Sequence, residues 1–96
     1  MSNPSPIIHT LNPTKWIDNY SDYLFRYTII RVNNHEVSKD LVQETFFSGL
    51  KSAKNFEGKA TERTWLISIL KRKIIDHYRK TNSKKGQAEV RMNFYN

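Results

Sequence analysis

Apolar residues recur along this chain at three- and four-residue steps, and no stretch keeps the two-residue alternation of a half-buried strand. Over residues 14–32, Trp16, Tyr20, Tyr23, Leu24, Tyr27 and Ile30 fall on one side of a helix. Asn12-Pro13 stands before them: Asn can cap a helix, and Pro is tolerated at the first helical position. Asn33-Asn34 ends this helix or caps the next. A second helix is predicted from Glu36 to Ala53 or Lys54. Its buried face comprises Val37, Leu41, Val42, Thr45, Phe46, Gly49 and Ala53, and the small Gly49 and Ala53 would admit another helix closely. Residues 54–63 read as a loop, with Gly58 permitting a turn and Thr61 placed to cap a third helix. That helix is predicted from Glu62 to Lys80 or slightly beyond, with Leu66, Ile69, Leu70, Ile74 and His77 as its core face. Thr81-Asn82-Ser83-Lys84-Lys85-Gly86 is a polar stop. The expected fold is all-α, a small bundle of three principal helices with room for a short fourth. Residues 1–12 form an irregular leader, 13–81 the helical domain, and 82–96 a polar tail or the start of a linker.

Two faces are left over once the core is assigned. On the second helix, Asp40, Gln43, Glu44, Phe47 and Lys51 share a side. Phe47 is the anomaly there, a large ring among polar groups. Either it packs on the leader or the first helix, or it anchors a docking patch for a basic partner. Asp40 and Glu44 are merely helix neighbours, with no nucleophile beside them, so no catalytic residue and no enzyme is expected.

On the third helix, Thr64, Trp65, Ser68, Lys71, Arg72 and Arg79 lie opposite the core. Lys73 falls inside the apolar arc and Ile75 outside it, so this wheel is not clean. Trp65 is either core or a stacking platform beside cations, where base stacking contributes about 1–3 kcal/mol per base. In the loop before it, Phe56, Lys59, Thr61, Arg63 and Thr64 mix a ring, cations and hydroxyls. Such a loop can hold an unstacked base.

Composition sharpens the second face. The chain has 96 residues, 38% of them hydrophobic and 12% aromatic, enough for one small domain with a modest core. Net charge is +7 and the isoelectric point is near 9.8. Lys71, Arg72, Lys73, Arg79, Lys80, Lys84 and Lys85 crowd one stretch against Asp76 alone, which points to a polyanion partner. No cysteine is present, which excludes disulfides and thiolate metal sites and fits a reducing, cytoplasmic setting. His9, His35 and His77 lack metal-site spacing, and neither a metal nor a cofactor is expected. No apolar run has the roughly 20 residues of a membrane span, and no signal peptide is evident.

These segments together resemble region two of bacterial RNA polymerase sigma factors, most closely the extracytoplasmic-function group. The resemblance covers residues 23–80. It rests on Asp40-Leu41-Val42-Gln43-Glu44-Thr45-Phe46, on Thr64-Trp65-Leu66 with Ile69, Ile75-Asp76-His77 and Arg79, and on Phe56-Glu57-Gly58 in the loop between. It implies docking of the second helix on the clamp helices of the largest polymerase subunit through Asp40, Gln43 and Glu44, with Phe47 as an addition. It also implies recognition of the promoter minus-ten element by the loop and third helix, which capture a flipped base of the non-template strand. Lys59, Thr61, Arg63, Thr64, Trp65, Ser68 and Arg72 would then lie near DNA, and composition adds Phe56, Lys71 and Arg79. An anti-sigma factor is a further candidate partner, and membrane insertion is not expected.

Two departures stand out. Many members carry Asn where this chain has Arg72, which bears on base preference. The residues after Lys80 are too few for the second, helix-turn-helix domain that the resemblance implies. The tail beginning at Met92 looks like a linker, so an excised domain is the expectation and a natural one-domain relative the alternative. Two rival functions remain: a helix-turn-helix or nucleoid-type binder of duplex DNA, and an anti-sigma or adaptor module that uses its basic helix on an acidic protein.

Overall fold

The structure is a computed structural model that describes residues 8–85, with side chains to residue 82. Residues 1–7 of the leader and the tail from Gly86, including the linker expected at Met92 to Asn96, lie outside the described residues. Three α-helices carry the fold: α1 (Trp16–Val32), α2 (His35–Ser52) and α3 (Glu62–Lys85). Short 3-10 turns at Pro13–Lys15 and Ala53–Asn55 precede α1 and follow α2. The all-α, three-helix expectation holds.

Each boundary has a local cause. The chain enters through a 3-10 turn, not directly into α1, and Asn12 does not cap through its side chain, whose oxygen accepts from the Thr14 hydroxyl at 3.0 Å. Asn33 is left-handed at φ 57°, and its N–H closes α1 on the Ile29 carbonyl at 2.8 Å. Asn34 then caps α2, its side-chain oxygen accepting the Val37 N–H at 2.9 Å. The two asparagines thus do both jobs expected of the pair. Helix α3 runs to Lys85, through most of the expected polar stop, since no glycine or proline precedes Gly86 there.

Helix α2 packs along both neighbours, whereas α1 and α3 touch more sparingly. Polar contacts set their directions. Trp16 and Tyr20 of α1 meet Glu62 at the start of α3, and the Arg31 carbonyl late in α1 accepts from the Tyr78 hydroxyl late in α3. The two helices therefore run parallel, with α2 antiparallel to both.

The core is Trp16, Leu24, Leu41, Val42, Leu66, Leu70 and Ile74. Gly49 makes it possible: a Cβ there would lie 3.0 Å from the Trp16 ring and 3.2 Å from the Leu66 side chain. Trp16 stacks on Phe46 at 6.1 Å and leans on Trp65 at 6.3 Å. Two members of the expected α1 face are corrected. Ile30 is 76% and Tyr23 42% exposed, because α1 is covered on too narrow a side to bury them. Thr28 is buried instead, its hydroxyl donating to the Leu24 carbonyl at 2.8 Å, and Thr45 repeats the arrangement on Leu41.

Candidate functional site

Asp40, Gln43, Glu44, Phe47 and Lys51 are all exposed along α2. Phe47 is 64% exposed among the described residues, and Leu50 beside it is also exposed. Among the described residues, neither Asp40 nor Glu44 forms an ion pair. Two uncommitted carboxylates and an amide therefore flank an apolar pair, a face suited to a partner that is both basic and apolar. Lys51 sits 6.0 Å above the Phe47 ring, at the outer limit of a cation–π contact.

The loop and α3 form the second surface. The Thr61 oxygen accepts the Thr64 N–H at 3.1 Å, and its proton goes to the Thr64 hydroxyl at 3.0 Å. Thr61 is thus the expected cap of α3. Ahead of it, Asn55, Phe56, Glu57, Lys59, Ala60 and Trp65 line an open pocket of about 230 Å³. Trp65 is half-buried and meets the Phe56 ring edge-on at 5.1 Å. It therefore joins the core through Trp16 and also walls the pocket.

Cations extend from the pocket along α3. Arg63 lies over the Tyr23 ring at 4.8 Å, which holds it beside the pocket's helix without neutralising it. Lys59 pairs with Glu57 at 3.3 Å and Arg79 with Asp76 at 3.9 Å, both exposed pairs of little energetic weight. Lys71 and Arg72 are exposed and form no ion pair among the described residues. Ser68 is exposed, its hydroxyl turned to the Trp65 carbonyl at 2.6 Å. The face from residue 64 to 79 is about 22 Å long at 1.5 Å per residue. Glu44 and Arg79, assigned to different surfaces by the sequence, line one cleft between α2 and α3 with Lys73, Asp76 and His77.

One residue escaped the sequence reading. The Glu62 carboxylate accepts from Trp16 Nε1 at 2.8 Å, from the Tyr20 hydroxyl at 3.0 Å, and from the Asn12 backbone N–H. It also places negative charge in the first turn of α3, where the helix dipole favours it. Burial raises the Tyr20 pKa above its ordinary value, helped by the hydrogen bond to Glu62 and its charge, with Arg63 acting in the opposite direction. An acid after a capping Thr signals a helix start, but nothing in the sequence pairs it with residues more than 40 positions away.

Comparison with known proteins agrees with the residues that suggested a resemblance. The Sigma-70 region 2 family matches residues 16–84. The chain belongs to that family. It is 44% identical over 50 residues to a probable RNA polymerase sigma factor of Haemophilus influenzae, covering 52% of this chain and 26% of that protein. It is 36% identical over 63 residues to the ECF RNA polymerase sigma factor SigX of Bacillus subtilis, covering 66% of this chain and 32% of the relative. With the ECF RNA polymerase sigma factor BldN of Streptomyces coelicolor it shares 32% identity over 63 residues, 65% of this chain and 24% of the relative. The chain thus spans about a quarter to a third of the length of these curated relatives. No solved structure gives a significant match. Among the described residues, no helix is long and apolar enough to cross a membrane, and no group of His, Asp or Glu could hold a metal ion.

Proposed function

We propose that this domain is the core-binding and minus-ten-recognising part of an ECF-type sigma factor. Asp40, Gln43, Glu44 and Phe47 dock it on the clamp helices of RNA polymerase. The pocket beside Trp65 receives an unstacked non-template base, and Lys71, Arg72 and Arg79 hold the strand's phosphates. Trapping a base that has left the stack favours the opened duplex without any chemistry on the protein.

The observation that carries this reading is the joint presence, on one family-matched bundle, of the exposed Asp40, Gln43, Glu44 and Phe47 on α2 and of the Trp65 pocket continued by exposed cations on α3. Its test uses two double variants of the full chain. Lys71→Ala with Arg72→Ala should lower affinity for a minus-ten non-template oligonucleotide by roughly tenfold through lost phosphate contacts. Asp40→Ala with Gln43→Ala should leave that affinity unchanged and abolish capture of core polymerase. Tighter binding of duplex than of the single strand would overturn the reading in favour of a duplex binder.

A further inference from the structure

The described part of the leader is bonded to the loop that walls the pocket. The His9 N–H donates to the Gly58 carbonyl at 3.0 Å. Gly58 itself is buried and left-handed, at φ 77°. The leader lies so close that a Cβ on Gly58 would stand 2.5 Å from Ile8 Cγ2 and 3.1 Å from the His9 carbonyl oxygen. Leu11 packs against the core, and the Asn12 N–H ends the segment on Glu62, in the first turn of α3. Residues 8–12 are therefore tied to the loop at Gly58 and to the first turn of α3 at Glu62. Between those two points lie Lys59, Ala60 and Thr61, and Trp65 follows one turn later.

We propose that residues 8–12 form a strap that positions the loop for strand capture, with the His9 backbone N–H as its clasp. This inference rests on the single-strand reading above. The six-residue connection over residues 56–61 contains a left-handed glycine and has no helix or strand of its own. An unstrapped loop samples other shapes, and apparent affinity falls in proportion to the fraction in the competent one. The strap holds the loop and α3 through the backbone N–H groups of His9 and Asn12, so it acts through geometry and not as a phosphate contact. His9 is a positioning residue in this scheme, and its side chain is dispensable.

The test compares His9→Pro, which deletes the clasp's donor, with His9→Ala, which keeps it, both in the full chain. Amide hydrogen exchange is read across residues 56–61, and fluorescence anisotropy reads affinity for a minus-ten non-template oligonucleotide. His9→Pro should speed exchange in the loop while leaving α2 and the middle of α3 protected. It should also weaken strand binding about three- to tenfold, the reach of one hydrogen bond. His9→Ala should match the wild type in both. Gly58→Ala, which forces the leader away from the other side, should repeat the His9→Pro pattern. Loop exchange that is unchanged in His9→Pro, or equally fast in His9→Ala, would overturn the strap. Faster exchange with unchanged affinity would overturn its link to strand capture. A wild-type chain that binds no single strand would overturn the functional reading, and the exchange data would still uphold or sink the strap by themselves.

Discussion

The outer face of α2 and the pocket at the start of α3 differ in what else their residues do. Asp40, Gln43, Glu44 and Phe47 stand clear of the core, and among the described residues the two carboxylates pair with nothing. At the pocket, Trp65 touches the core ring Trp16, Thr61 caps α3, and neighbouring Glu62 ties three donors together. One face is an attachment laid on a finished helix. The other is made of residues that also hold the bundle closed. Substitutions on the first report binding cleanly, whereas many on the second report stability and binding together.

The largest expected contrast is between two aromatic truncations. Trp65→Ala should cost about 2–4 kcal/mol in urea unfolding, a little under a fully buried ring. Phe47→Ala should stay within about 0.5 kcal/mol of the wild type, as exposed substitutions do. Equal costs would erase the distinction between the two regions. Trp65→Ala is accordingly a poor probe of DNA binding, since a lost strand contact cannot be separated from a loosened bundle.

A middle-sized effect is expected at Glu62. Glu62→Gln keeps the shape but offers one acceptor oxygen to donors that now share two, and should cost about 1–2 kcal/mol. The same exchange at Glu44 should be neutral in the same unfolding assay. A neutral Glu62→Gln would mean that the junction is held by packing alone.

The smallest effect is a pH dependence. The folded Tyr20 phenol keeps its proton above the ordinary pKa of 10.0. The stability linked to it is complete below the unfolded value and is lost as pH rises through the folded one. Thermal midpoints of the wild type should therefore fall more steeply than those of Tyr20→Phe once pH exceeds about 10. Parallel curves would assign the alkaline loss to other groups.

Much of this was legible in the sequence because it is local. The α2 core face, the Asn33-Asn34 boundary, the close approach at Gly49 and the Thr61 cap all follow from spacing within a few residues. Tyr23 and Ile30 misled because helical periodicity marks a side, not how wide a neighbour will cover it. Thr28 was passed over because a buried hydroxyl looks polar until its bond to the Leu24 carbonyl is seen. Glu62 and the leader were invisible for a different reason. Their contacts join residues 42 to 50 positions apart, and no periodicity encodes such a pairing. The pocket beside Trp65 inherits that blindness, since its residue types were readable but what holds them in place was not.

The central claim is that the outer face of α2 and the pocket with the basic face of α3 serve two partners. The salt dependence of strand binding tests it most directly. With anisotropy measured against a minus-ten non-template oligonucleotide across salt, Lys71→Ala with Arg72→Ala should flatten the slope of log K against log salt by about 1.4, roughly 0.7 per lost phosphate contact. Asp40→Ala with Gln43→Ala should leave the slope at its wild-type value. The account is contradicted if both pairs change the slope alike, or if the basic pair leaves it untouched.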